Sequence, residues 1–354
     1  MNRIAFISAL ATLLVTACSK PEPAPTPEQF DKYIFFSQNV DTKASLIGST
    51  TDMDGKSFGV VGFKYDSSSA WATEKATATP NVFATSPQAV TCDANGSGTY
   101  SPIQGWSNSK EYTFFAFYPM PIENNVELVN LNGTSYSAGV PAIKYSLNTT
   151  DATTLKASMV DVMTATYHED KYWRSTSDNN IASGEVTMEF AHKLSSLGVR
   201  IKNSSSGQIK LITVALVLSD IKHNEIIIPL DGTAAMLSTP ETAISATLSI
   251  APTSVEKTLT PQETPTYIEI ADKLMFIPQT ENVSANIKVS YKRQFGDTPS
   301  TDPITFTSTT LTTSLVAGNK HLISLNFTDD LVDVEEVISS EGWNVIPDIE
   351  DTFN

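Results

Sequence analysis

The segment Glu185-Val186-Thr187-Met188-Glu189-Phe190 alternates polar and apolar residues, and such a period of two predicts a strand with one buried face. The same pattern appears early in the chain, where Ile34, Phe36 and Val40 share one face of YIFFSQNV. Further strands are predicted at SFGVVGFKY (57–65), PNVFATSPQAV, EYTFFAFYP (111–119), VELVNL (126–131) and SMVDVMTAT (158–166). In EYTFFAFYP both faces are apolar, Phe114 and Ala116 on one and Phe115 and Phe117 on the other, which places it centrally rather than at an edge. The later half repeats the pattern at 209–218, 225–230, 243–250, 266–271, 284–291, 303–307 and 320–327. After Ala191-His192-Lys193 the apolar set moves from even to odd numbers (Leu197, Val199, Ile201), which predicts a bend or bulge near His192.

No long stretch holds apolar spacing at 3.6 residues, and Thr, Ser, Val, Ile and aromatics dominate, so the expected class is all-β. Residues 1–18 differ from everything that follows: Arg3 precedes an apolar run from Ile4 to Val15, then small residues and Cys18. The run is short for a membrane span, and the pattern predicts a lipoprotein signal over 1–17 with lipid attached to Cys18. Residues 18–29, with four prolines between Pro21 and Pro27, predict an extended tether. The remainder is long enough for two domains of roughly 150 residues each. Their expected limits are 30–184 and 185–354, the boundary falling at the end of the polar stretch YHEDKYWRSTSDNNIASG.

A formal charge of −16 and the absence of a basic stripe exclude nucleic acid as a partner. Lipidation of Cys18 would leave Cys92 without an intrachain partner, and its setting Ala89-Val90-Thr91-Cys92-Asp93 reads as a packed strand end. The four histidines, His168, His192, His223 and His321, lack zinc-site spacing. The acidic run through Asp329, Asp330, Asp333, Glu335 and Glu336 lacks the glycine of a calcium loop. With no nucleophile elbow or phosphate-cradling loop either, neither metal nor cofactor is expected and the chain is not expected to be an enzyme.

Several phrases in order resemble the fimbrillin family of Bacteroidetes type V pili, including its minor-fimbrillin-like members. These are Thr42-Lys43-Ala44, FGVVGFKY, PNVF followed by a Gly-rich turn and Tyr100, Trp106 with YTFFAFYP, DVMTAT, EFAHKLSSLGVRI, LMFIPQ (274–279), AGNKHLISLNF (317–327) and Trp343. The resemblance implies two tandem transthyretin-like β-sandwich domains, lipoprotein export to the outer membrane, proteolytic removal of the first strand and polymerisation by donor-strand exchange. It also implies other fimbrial subunits as partners, in a homo- or hetero-polymer, and a surface ligand on host or bacterium. Trypsin-like maturation after the first strand matches the step Lys43-Ala44; no arginine lies between Arg3 and Arg174. A solvated strand-end lysine is the other reading of Lys43.

The candidate donor strand is WNVIPDIEDTF, in which Trp343, Val345, Ile349 and Phe353 fall on one face, with Pro347 among them. Trp343 completing the chain's own second sandwich is the alternative. A rival function is a surface glycan-binding outer-membrane lipoprotein, with Trp71, Trp106 or Trp173 as stacking platforms.

Overall fold

The computed structural model describes residues 32–40, 49–122, 125–148, 152–173, 181, 183–238, 244–251, 257–296, 298–299 and 302–339. Within them, helix is confined to three short turns, at Thr50–Met53, Trp71–Glu74 and Ala152–Ala157. The first part of the chain supplies β1 (Phe35–Val40), β2 (Ser57–Asp66), β3 (Gln88–Cys92), β4 (Ser97–Thr99), β5 (Lys110–Met120), β6 (Val126–Asn130), β7 (Pro141–Ser146), β8 (Met163–Ala165) and β9 (Glu185–His192). The rest supplies β10 (Ser195–Asn203), β11 (Gln208–Ile221), β12 (Glu225–Pro229), β13 (Ile244–Ala251), β14 (Ile268–Phe276), β15 (Val283–Phe295), β16 (Lys320–Phe327) and β17 (Val332–Ser339). The all-β expectation holds.

Strands β8, β9, β1, β4, β3, β2 and β5 lie side by side in that order, and β5 pairs back onto β8 to close a seven-stranded barrel. Closure removes the free edges that an open sheet of this size would expose. The barrel is filled by Phe36, Phe58, Val60, Val90, Phe114, Met188 and Phe190, with Phe58 and Phe190 meeting edge-on at 5.2 Å between centroids. Alternation along each strand sends these side chains inward, and alternation also explains the doubly apolar β5. Phe114 and Ala116 point into the barrel, whereas Phe115 and Phe117 join Phe63 and Trp71 in a second cluster outside it.

That second cluster runs into the later half. Ile143 and Tyr145 of β7 belong to it, and β7 pairs with β6 on one side and with β12 on the other. Two more sheets share it: β14, β10, β16 and β17 in one, and β13, β11 and β15 with short flanking strands in the other. Leu197, Val199, Ile323 and Leu325 of the first sheet face Ile209, Val214, Leu216 and Ile287 of the second. Strand β11 keeps its apolar face through a register shift between Leu211 and Thr213, which moves the buried set from odd to even positions.

Of the bend or bulge expected near His192, the structure shows a turn of the chain from one sheet into another. Strand β9 directs Val186, Met188 and Phe190 into the barrel, and three residues after His192 the chain enters β10, which belongs to another sheet and buries Leu197, Val199 and Ile201. The even set and the odd set therefore serve two different cores. Strand β9 opens the later half in sequence yet completes the earlier barrel in space, and β12 pairs with β7 across the same division.

Candidate functional site

The segment Lys32–Val40 is held along its whole length. Lys32 and Tyr33 pair with Trp106 and Gly105, and the Lys32 ammonium stands 5.7 Å from the centre of the Trp173 ring. Ile34 N–H donates to the Gln104 carbonyl at 2.9 Å, and the Tyr100 hydroxyl donates to the Ile34 carbonyl at 2.8 Å. The Gly184 carbonyl accepts twice, from Phe35 N–H at 3.1 Å and from Trp106 Nε1–H at 3.1 Å. Each of these bonds satisfies a backbone group that the closed barrel would otherwise bury unpaired.

The two flanks of β1 are unequal. Toward β9 it runs parallel over six residue pairs, Phe35–Val40 against Glu185–Phe190, reinforced by Ser37 Oγ–H donating to Thr187 Oγ1 at 3.0 Å. Toward β4 only Phe36 with Gly98 and Ser37 with Ser97 are in register, and Gln38 N–H then donates to the Gly96 carbonyl at 2.8 Å. Its side chains alternate strictly: Ile34, Phe36, Gln38 and Val40 are 0, 2, 4 and 1% exposed, whereas Phe35 is 45% exposed. Phe36 sits in an aromatic nest, its centroid 5.3 Å from Phe114, 5.6 Å from Tyr100 and 6.2 Å from Phe83. Burying the apolar side chains of Ile34, Phe36 and Val40 contributes about 1.5–3 kcal/mol each. Taking β1 out would expose an apolar slot lined by main-chain groups of β9 and β4, an arrangement that accepts another strand.

The polar residues elsewhere are engaged in structure. Asp161 Oδ1 and His192 Nδ1 lie 2.9 Å apart and fully buried, while the His168 ring meets the Thr187 carbonyl at 2.7 Å through Nε2. His223 bridges the Ser238 carbonyl and Thr280 Oγ1, and His321 Nδ1 lies 3.1 Å from Thr313 Oγ1. Burial, aided by Asp93, pushes the Cys92 thiol up to about 12, so it rests as a packed hydrophobe in the barrel. Among the described residues no group of three or more His, Cys, Asp or Glu side chains could hold a metal ion, and no helix is long and apolar enough to cross a membrane.

Trp106 is core, 1% exposed, as its neighbours in sequence suggest. Trp71 is also core, which removes it as a stacking platform: it is 2% exposed, 4.8 Å from Phe63 and 5.3 Å from Phe115 between ring centroids. Trp173 packs partly against the barrel beside Lys32. Cys18, the step Lys43-Ala44 and the donor candidates Trp343, Val345, Ile349 and Phe353 lie outside the described residues. Gln38 and Thr50, whose contact is taken up below, carry no periodic signal because one partner is a main-chain carbonyl.

A family model described as Fimbrillin-like matches residues 42–343. A curated relative, Fimbrium subunit Fim1C of Phocaeicola vulgatus, is 26% identical over 206 residues, covering 55% of this chain and 50% of the relative. The chain thus spans about half the length of the curated relative it matches. The crystal structure of a fimbrial protein from Bacteroides vulgatus superposes with a TM-score of 0.55 at 19% identity, over 89% of this chain and 100% of that one, a likeness of fold.

Proposed function

We propose a function on the premise that this chain belongs to the fimbrillin-like family: it is a structural or adhesive subunit of a surface fimbria and carries out no chemical turnover. In this reading it is exported as a lipoprotein through Cys18 and loses its first strand by cleavage at Lys43-Ala44. It then joins other subunits by strand exchange, the tail bearing Trp343, Val345, Ile349 and Phe353 entering a neighbour's slot. The tandem transthyretin-like sandwich description belongs to the same reading, with β9 (Glu185–His192) counted to the first unit, which it completes.

The observation that carries it is the placement of β1. It is the first complete strand of the described chain, it fills the barrel seam with three buried side chains beside the buried Ile34 that precedes it, and residues 41–48, which contain the cleavage step, separate it from the next element at Thr50–Met53. A cut there severs one strand and leaves the other six barrel strands covalently continuous. The vacated slot then offers main-chain partners and apolar surface together, and burial of a new strand would make the contact slow to dissociate.

Mass analysis of the surface-exposed protein tests the processing step, with a new amino terminus at Ala44 expected. Truncation after Gly342 should abolish incorporation into fibres. Trimmed protein that stays monomeric, together with fibres unaffected by that truncation, overturns the reading.

A further inference from the structure

The slot filled by β1 is not uniformly apolar. Of its four inward sites, those of Ile34, Phe36 and Val40 are lined by hydrocarbon, but the third is occupied by Gln38, 4% exposed, whose Nε2–H donates to the Thr50 carbonyl at 3.1 Å. The site engages the amide through its N–H alone, Gln38 Oε1 being buried without a partner among the described residues, and one wall is main chain. Gly96, at φ +86°, comes so close that a Cβ there would stand 2.7 Å from the Gln38 carbonyl oxygen. A main-chain acceptor cannot rotate away as a side chain could, so the site keeps its demand for a donor whichever strand lies in the slot.

We propose, building on the strand-exchange reading above, that this slot selects an incoming strand carrying an amide side chain at the position Gln38 now fills, between apolar residues at the preceding and following alternate positions. The chain's own later segments differ in how they would meet this site. Strand β17 reproduces the spacing as Val332-x-Val334-x-Glu336-x-Ile338, but with a carboxylate where the amide stands. An ionised carboxylate accepts hydrogen bonds and donates none, so it would face the Thr50 carbonyl acceptor to acceptor. In the tail, the register Trp343, Val345, Pro347, Ile349 puts proline at the third site, where Gln38 N–H also serves the Gly96 carbonyl at 2.8 Å. Proline has no N–H to give. The next register, Pro347, Ile349, Asp351, Phe353, again offers a carboxylate, and the tail run in the opposite direction offers Val345. None of these registers supplies the amide, whereas the other face of the tail does, through Asn344 between Gly342 and Ile346.

Selection by this one site is a matter of differential affinity. The three apolar sites accept any strand of suitable volume, and the third disfavours those that leave the half-buried Thr50 carbonyl without its donor.

The test uses the full chain with a specific protease site placed within residues 41–48. After cutting, the released segment is removed in mild denaturant and the protein is refolded with fluorescent synthetic peptides. The peptide KYIFFSQNV should bind, and its Gln38→Glu and Gln38→Val versions should bind about tenfold more weakly at pH 7, a factor equivalent to one lost hydrogen bond. The peptide VDVEEVIS should bind weakly and gain affinity on Glu336→Gln. Binding of the Gln, Glu and Val peptides within twofold of one another overturns the selection while leaving strand exchange intact. Failure of every peptide to bind overturns both.

Discussion

Phe117 lays its ring directly over Gly59 on the neighbouring strand, so that a Cβ added at Gly59 would stand 2.5 Å from Phe117 Cζ. The glycine serves close approach here. The prediction is that Gly59→Ala destabilises the protein by about 1–3 kcal/mol, the range for overpacking a filled core. Phe117→Leu in the same chain should recover part of the loss. Denaturant titrations of the single and double variants, read as midpoint shifts at constant slope, measure both effects.

The Tyr100 hydroxyl ties the start of the first strand to the barrel by donating to the Ile34 carbonyl at 2.8 Å while accepting from Gln104 N–H at 3.2 Å. Burial raises its pKa to about 12, which keeps it protonated at neutral pH. Tyr100→Phe should cost the intact chain about 0.5–1.5 kcal/mol, the net worth of such a bond. It should also speed release of residues 32–40 from a chain cut after them. Release followed by fluorescence of a label on that segment checks the second point.

His168 is held below its ordinary pKa chiefly by burial, with Lys171 adding to the effect, while the Thr187 carbonyl and Glu189 pull the other way. A histidine whose folded pKa is depressed stays neutral in the native state while the unfolded chain takes up a proton. Its contribution is therefore complete above the unfolded value near 6.5 and is lost as pH falls through the depressed native value. Stability should fall on acidification below about pH 6.5, and His168→Gln should flatten that slope. Unfolding free energies of both proteins between pH 7 and pH 5 decide it.

Cys92 should be inert toward maleimide in the native protein at pH 8, because its thiol, raised to about 12 and buried in the barrel, holds almost no thiolate there. Labelling should become complete in denaturant. Intact-mass spectra before and after unfolding provide the measurement.

Local alternation made the strands legible, and it also placed Ile34, Phe36 and Val40 on one buried face. What alternation cannot carry is the identity of a strand's neighbours. The change of parity after His192 was readable, but a bulge within one sheet and a passage between two sheets leave the same trace in sequence. Strand β8, three residues within the segment 158–166 read as a strand, gives no sign in sequence that it closes the barrel. Trp71, isolated among Ser, Ala and Thr, offers no pattern at all, and its burial depends on Phe63 and Phe115 arriving from elsewhere. Gln38 breaks an apolar alternation and so reads as an imperfection, although its Nε2–H meets the Thr50 carbonyl inside the structure.

The parallel ladder joining Phe35–Val40 to Glu185–Phe190 also sets a timetable for folding. The contact between Ser37 and Thr187 spans 150 positions, so a chain emerging amino terminus first must wait for most of its length before the barrel can shut. Until then the aromatic interior stands open to solvent, and each newly emerged molecule is exposed to capture by its neighbours. A holding chaperone would find its longest opportunity in that interval, before residue 192 arrives.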